Sequence, residues 1–319
     1  MVNIVTLSWN ALDWSKHTIE SLLSSLQAAQ CKYQITVVDN ASTDGIKGYL
    51  ERLAQTNRSV RLICNAHNYG IAFGYNQGFM ESVAIGAEYT VFCNNDLHFF
   101  GDGWLSKLVH VMDLHKDIAV LTPLRTSDYD YYSAGLTTKQ KLMMIADSLS
   151  PADELTEFMD KRTEREFIDS IVNVNMTVFG VPIRYIKFPN AISTCVCMIR
   201  AKIFKDNFGY FVNPYFMEYG GDDIDMSWRV MRAGYNCAIL NTTYVHHFRS
   251  RSLKEYDINR DRLLNESNKK LLSLWGSEIS QFIKKNNVSD YEINHDKDYW
   301  IIKDMIRVSG KGSVLCGQK

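Results

Sequence analysis

Apolar and polar positions alternate in blocks over the first 125 residues, and the blocks switch between two periods. VNIVTLSW is a short apolar run rich in β-branched residues, which predicts a buried strand. DWSKHTIESLLSSLQAA follows with helical spacing: Ile19, Leu22, Leu23 and Leu26 share one face, and Asp13 or Ser15 can cap the start. YQITVVDN then predicts a strand, STDGIKGYLERLAQ a helix after a turn, VRLICN a strand, and YGIAFGYNQGFMESVAIG a glycine-rich turn passing into helix. EYTVFCNND, a helix around WLSKLVHVMDLH, and IAVLTP continue the alternation. This order predicts a mostly parallel, Rossmann-like sheet with helices on both faces.

In such sheets ligands bind beyond the carboxyl ends of the strands. Here those ends read SWN, VDNASTDG, NAHNYG and NND. Asn, Asp and Gly make turns wherever they occur, so one such end says little; four at one edge predict a site. Residues 126–190 break the pattern with a polar, aromatic stretch and then a charged helix, SPADELTEFMDKRTEREF, capped by Ser150 with Pro151 in its first turn. This segment is expected to be an insertion beside the site, an acceptor-facing lid or a solvated helical decoration. Strand resumes at NAISTCVCMIR, and the chain after about residue 250 reads as polar helix with an amphipathic segment at LLNESNKKLLSLWG. The expected organisation is one catalytic domain over 1–250, carrying the insertion, and a helical extension over 251–319.

Composition narrows the picture. Of 319 residues 46% are hydrophobic, enough for a large core, and 35 Lys plus Arg against 36 Asp plus Glu leave no whole-chain field to gather nucleic acid. The seven cysteines are scattered, mostly in apolar runs, which reads as reduced core thiols; Cys195 and Cys197, spaced C-x-C on one strand, lack the paired C-x-x-C spacing of a zinc ribbon. The N-terminus lacks the basic flank and long apolar core of a signal peptide, and no run is long enough for a membrane helix. A cytoplasmic, soluble protein is expected, with peripheral contact at a membrane left open because an acceptor can be a lipid.

Three stretches carry candidate chemistry. VFCNND delivers a carboxylate, Asp96, to the site edge, where a hard oxygen ligand suits Mg²⁺ or Mn²⁺; Asn94 and Asn95 beside it can hydrogen-bond a ribose or phosphate. YGGDDIDMSWRVMRAGY places Asp222, Asp223 and Asp225 in the first turn of a helix, after two glycines that permit a tight turn. Acidic residues are common at helix starts, but three within four positions exceed what capping requires, and one can act as a general base. VHHFRSRS puts His246 or His247 after a strand as a neutral imidazole ligand, with Arg249 and Arg251 able to meet a diphosphate.

Taken in order, these stretches resemble the family 2 glycosyltransferases of GT-A fold, over roughly residues 1–125 and 188–276. The resemblance implies a nucleotide-diphospho-sugar donor, UDP-, dTDP- or GDP-linked, and an acceptor hydroxyl on a glycan, lipid-linked glycan, protein or nucleic acid. By that resemblance Ser8, Asn10, Asp39 and Ser42 hold the nucleotide, with Asp39 on the base or ribose, and Asn68, Gly70, Gly74 and Asn76 close around it. The D-x-D position falls on Asn94, Asn95 and Asp96, leaving Asp96 as the main carboxylate for a divalent cation, Mn²⁺ or Mg²⁺. The acidic pair falls on Asp222 and Asp223, with Asp223 the favoured base, and the late histidine on His247 or His246. The chain departs from the pattern in three ways: Thr194 stands where glycine is usual, the pair is Asp-Asp instead of Glu-Asp, and the insertion matches nothing.

The implied reaction is a single inverting displacement at the anomeric carbon. Rival readings are a nucleotidyltransferase on a related sheet, a dinucleotide dehydrogenase and a non-catalytic sugar-nucleotide binder. SWNALDWSK lacks both the basic glycine-rich loop of the first and the G-x-G-x-x-G of the second. The intact acidic pair argues against the third.

Overall fold

A computed structural model of the chain describes residues 1–125, 150–159, 163–169, 183–217, 219–248 and 259–286. Most of the expected lid, together with Arg249 and Arg251, lies outside the described residues.

Among the described residues nine strands form one mixed sheet. The strands are β1 (Val2–Ser8), β2 (Tyr33–Asp39), β3 (Val60–Cys64), β4 (Tyr89–Cys93), β5 (Leu97–Phe99), β6 (Ile118–Arg125), β7 (Ile183–Tyr185), β8 (Val196–Arg200) and β9 (Asn236–His247). Their order is β3-β2-β1-β4-β8-β6-β9-β5, with β7 also paired to β9. The first four strands run parallel, as their spacing predicts. β8 enters antiparallel between β4 and β6, and β9 returns parallel to β6 before pairing antiparallel with β5.

The central strands are buried on both faces, so they read as continuous apolar runs. Successive residues feed opposite cores. Ile4, Val91, Leu121 and Met198 meet α1 (Leu12–Ser25), α2 (Ile46–Thr56) and α4 (Trp104–Leu114). Val5, Phe92, Val120 and Cys197 meet α3 (Gly70–Ala84), with later helices on the same side. In chain order those are α5 (Pro151–Met159), α6 (Ala201–Asn207), α7 (Asp222–Arg232) and α8 (Arg260–Asn286). The last presents Leu263, Ser267, Leu271, Trp275, Ile279 and Ile283, every fourth residue, as one buried ridge. It packs on Phe216 and Trp228, and Trp275 Nε1 donates to Asp225 Oδ1 at 3.0 Å.

Two contacts fix where the strand ends lie. The first is a row of hydroxyls on the buried face of α1. Thr18 Oγ1 donates to Leu97 O at 2.9 Å and accepts from Leu97 N at 2.8 Å, Ser21 Oγ accepts from Phe99 N at 3.3 Å, and Ser25 Oγ accepts from Trp104 Nε1 at 3.0 Å. Short β5 is thus hydrogen-bonded by β9 on one edge and by side chains of α1 on the other, which satisfies backbone groups that burial would otherwise leave unpaired. The helix was expected to show an apolar face; Ile19 and Leu22 are buried, but so is this polar row.

The second is the seat of α3 on β1. A Cβ built on Gly78 would lie 2.1 Å from Val5 Cγ1, and one on Gly74 2.3 Å from Leu7 Cδ1. Both glycines let the helix approach the strand more closely than any side chain would allow. Val5 is fully buried and branched at Cβ, so it cannot turn aside. We therefore expect Gly78→Ala to destabilise the fold by about 1–3 kcal/mol through overpacking. Gly48→Ala in α2, where the nearest atom is the end of Arg52 at 3.6 Å, should stabilise it by about 0.5–1 kcal/mol. Denaturant midpoints of the two variants check the pair; shifts of the same sign would refute the close-packing account.

Candidate active site

The carboxyl ends of β1, β2, β4, β6 and β9 meet at one edge of the sheet, as the Asn- and Asp-rich strand ends predict. The loops after β1 and β2 interlock. Ser8 ends β1 opposite Asp39 in register. Asn10 N donates to Ser42 Oγ at 2.8 Å, Thr43 N donates to Asn10 Oδ1 at 2.7 Å, and Ser42 N donates to Asp39 Oδ2 at 3.3 Å. Asp39 is fully buried, and its Oδ1 has no hydrogen-bond partner among the described residues. Among the described residues the three non-glycine residues with positive φ, Asn10, Ala11 and Ala41, all lie in these two loops. Strained backbone of this kind concentrates at functional sites.

Asn68 Oδ1 accepts from Asn40 Nδ2 at 2.7 Å and from Gly70 N at 2.9 Å, closing the turn into α3. Gly70 has φ +83° and sits against Met217 O, so the turn touches the loop that leads to the acidic helix. Gly74 packs on Leu7, while Asn76 Nδ2 donates to Val212 O and its Oδ1 accepts from Phe211 N and Val212 N. These contacts seat α3 and hold the 211–212 loop.

The stretch Asn94–Asp96 crosses the edge between the two halves of the site. Asn94 Oδ1 accepts from Tyr75 OH at 2.8 Å and Asn95 Nδ2 donates to Ser15 Oγ at 2.8 Å, so each amide fixes the turn. Asp96 is 5% exposed, and its Oδ1 lies 3.1 Å from His247 Nε2. Adjacent residues of a strand face opposite ways, and the two late histidines differ accordingly. His246 pairs in register with His98 and its Nδ1 meets Tyr244 OH at 3.2 Å, while His247 meets Asp96. Burial alone would lower the His247 pKa, but the Asp96 carboxylate and the neighbouring Cys195 raise it overall.

The acidic helix arrives from the other side. Gly220 and Gly221 both take positive φ, giving the tight turn that Asp222 and Asp223 require. Thr194 Oγ1 donates to Asp222 Oδ2 at 2.8 Å, so the residue standing in the usual glycine position holds a carboxylate. Asp223 Oδ1 accepts its neighbour's N–H, from Ile224 at 2.8 Å. Burial first, and then the Asp222 charge, push Asp223 up to about 7, with Arg125 opposing. Asp225 belongs to a different contact: its Oδ2 is 2.7 Å from Arg229 Nε and its Oδ1 takes the Trp275 indole N–H. The third carboxylate of the cluster therefore secures the C-terminal helix, and its charge reaches the site by raising Asp222.

Two residues that the sequence reading passed over stand at the centre. Arg125, 7% exposed at the end of β6, acts electrostatically on both Asp223 and Cys195. Cys195 lies within reach of both His247 and Asp223; burial would raise its pKa, but His247 and Arg125 lower it. Cys195 and Arg125 thus link the Asp96–His247 pair and the Asp222–Asp223 pair electrostatically. Among the described residues no group of three His, Cys, Asp or Glu side chains could hold a metal ion by itself, and no helix is long and apolar enough to cross a membrane.

The sequence model of glycosyl transferase family 2 matches residues 3–176, more than half of the chain. The chain belongs to this family. Solved structures with a similar fold include the mannosyltransferase PcManGT from Pyrobaculum calidifontis, in complex with GDP-Man and Mn²⁺. It is 14% identical with a TM-score of 0.53, and the match covers 100% of this chain and 76% of that one. GalNAc-T7 with UDP, GalNAc and Mn²⁺ is 13% identical with a TM-score of 0.50, over 77% of this chain and 43% of that one. No curated protein matches by sequence. This glycosyltransferase has the GT-A fold, with its acidic helix well beyond the residues that the family model covers.

The raised Asp223 pKa has a consequence for stability. The folded state keeps a proton on Asp223 up to about pH 7, whereas an unfolded carboxylate releases it near pH 4. That contribution to stability is fully present below about pH 4 and is lost as the pH rises through about 7. Asp223→Asn cannot ionise, so its melting temperature should decline less between pH 4 and 7 than that of the unsubstituted protein. Parallel melting curves for the two proteins would show that Asp223 titrates as an ordinary carboxylate.

Proposed function

We propose that this glycosyltransferase is a metal-dependent, inverting enzyme that passes a sugar from a nucleotide diphosphate to an acceptor hydroxyl, with Asp223 as the general base. The observation that carries the reading is the shared centre: the Asp96–His247 carboxylate–imidazole pair, the Asp222–Asp223 acidic pair, and a buried arginine, Arg125, acting on Asp223 and on the Cys195 beside His247.

The donor set of Asp96 and His247 fits a divalent cation. A carboxylate oxygen and an imidazole nitrogen 3.1 Å apart are ligands that Mn²⁺ and Mg²⁺ accept. With no third such side chain among the described residues, the remaining positions would fall to donor phosphate oxygens and water. When bound, the ion supplies positive charge to the departing diphosphate. Arg125, always protonated, adds a second positive charge in a buried place where it acts strongly.

Asp39 supports the donor assignment. Its unpartnered Oδ1 is a buried acceptor, and the ring N–H of uracil, thymine or guanine would satisfy it. This accords with UDP-, dTDP- or GDP-linked donors. At the other end Asp222 is held by Thr194, which leaves Asp223 as the carboxylate able to take a proton. With a pKa near 7 Asp223 is partly ionised at neutral pH and basic enough to accept the acceptor's hydroxyl proton as that oxygen attacks the anomeric carbon. Holding both reactants in line at this centre removes much of the entropic barrier.

A thermal-shift screen of UDP-, GDP- and dTDP-sugars with Mn²⁺ identifies the donor, because a ligand bound only by the native state raises its melting temperature. Release of nucleotide from that donor separates an enzyme from a pure binder. Asp223→Asn should then slow turnover by about two to four orders of magnitude with nucleotide affinity retained; unchanged turnover removes Asp223 from the role. Asp96→Ala should abolish the gain in nucleotide affinity that Mn²⁺ gives, and calorimetry finding that gain intact would count against the metal assignment.

A further inference from the structure

Ser15 lies in the first turn of α1, fully buried, and is hydrogen-bonded both to the loop after β1 and to the Asn94–Asp96 turn. A serine hydroxyl can donate one hydrogen bond and accept two, and here all three are in use. Ser15 Oγ donates to Asn10 O at 3.1 Å, accepts from Asn95 Nδ2 at 2.8 Å, and accepts from Ser8 Oγ at 3.4 Å. Asn10 is held in turn by Ser42 and Thr43, and Ser42 by Asp39. An unbroken hydrogen-bonded chain therefore runs from Asp39 through Ser42, Asn10 and Ser15 to Asn95, the residue before Asp96. Its middle member, Asn10, sits at φ 54°, a backbone conformation that a non-glycine residue keeps only where its surroundings hold it.

We propose that Ser15 is a positioning residue that couples the base-binding end of the donor site to the cation-binding end, so that occupancy of one tightens the other. The inference rests on the reading of Asp39 as the base contact and Asp96 as a cation ligand. A base that fixes Asp39 fixes Ser42 and Asn10. Through Ser15 this fixes the Asn95 amide, and with it the backbone that carries Asp96. Coupling of this kind is reciprocal: the nucleoside tightens the cation by the same factor as the cation tightens the nucleoside.

The probe must lack phosphate, since a diphosphate would join the two ends directly. Uridine and guanosine are therefore each measured by calorimetry with and without Mn²⁺. In the unsubstituted protein the nucleoside that binds should tighten Mn²⁺ by at least about five-fold. In Ser15→Ala the factor should fall to about one, with each ligand's affinity in the absence of the other little changed. A merely structural serine would weaken both ligands and leave their ratio alone. Should Ser15→Ala not fold, hydrogen exchange on the unsubstituted protein decides: the nucleoside alone, without metal, should slow amide exchange over residues 94–99. Binding of nucleoside and Mn²⁺ without coupling, coupling that survives Ser15→Ala, or unaltered exchange over 94–99 each overturns the inference while leaving the donor reading intact. Failure of both nucleosides to bind would overturn the two together.

Discussion

The site depends on how one short segment is seated. Asn94–Phe99 leaves the sheet at the end of β4 and re-enters it as β5, and it is gripped from both sides by hydrogen bonds. β9 holds one edge through the backbone; Ser15, Thr18 and Ser21 of α1 hold the other. Three residues of strand would not hold their place unaided, and buried backbone groups without partners are costly. Because both edges are satisfied, the Asp96 carboxylate has little freedom, and His247 is brought to it by the same β5–β9 pairing. The geometry of the carboxylate–imidazole pair is thus a by-product of sheet register.

Charge at the centre is balanced from separate parts of the chain. Two carboxylates at the start of α7 would repel each other in a buried place. Thr194, Arg125 and the helix's own N–H groups share the task of holding them. The division is unequal: Asp222 takes a hydroxyl donor, while Asp223 takes its neighbour's N–H and is raised to about 7. Two adjacent identical side chains thereby become chemically different through their surroundings alone.

Much of this was legible in the residues, and the parts that were not share a cause. Parallel strands, helices on both faces and a polar edge followed from periodicity and from the Asn- and Asp-rich strand ends. Asp96 stood out as a carboxylate closing an apolar strand, and Asp222–Asp223 as part of three carboxylates within four positions. The contacts that Cys195 and Thr194 make at this edge did not, because both residues precede their strand. β8 runs antiparallel and so delivers its beginning to the edge where its neighbours deliver their ends, a reversal that no local pattern announces. Nothing in the pattern around Arg125 pointed to the site. Nothing local distinguishes a serine facing water from one facing the edge of a strand, so the buried hydroxyl row of α1 was not legible. Asp225 was grouped with its neighbours because its partner, Trp275, lies 50 residues further along. In each case the deciding contact is distant in sequence, while the patterns that could be read are local.

The position of β8 has one more implication. It fills the middle of the sheet, between β4 and β6, although it lies later in the chain than the residues matched by the family's sequence model, which end at 176. The part of the molecule that carries the Asn- and Asp-rich strand ends therefore cannot close its own sheet without a strand from the part that bears Asp222 and Asp223. The two parts are interwoven in one sheet. A chimaera that grafted the acidic half of a relative onto this chain would exchange the centre of its scaffold along with its specificity.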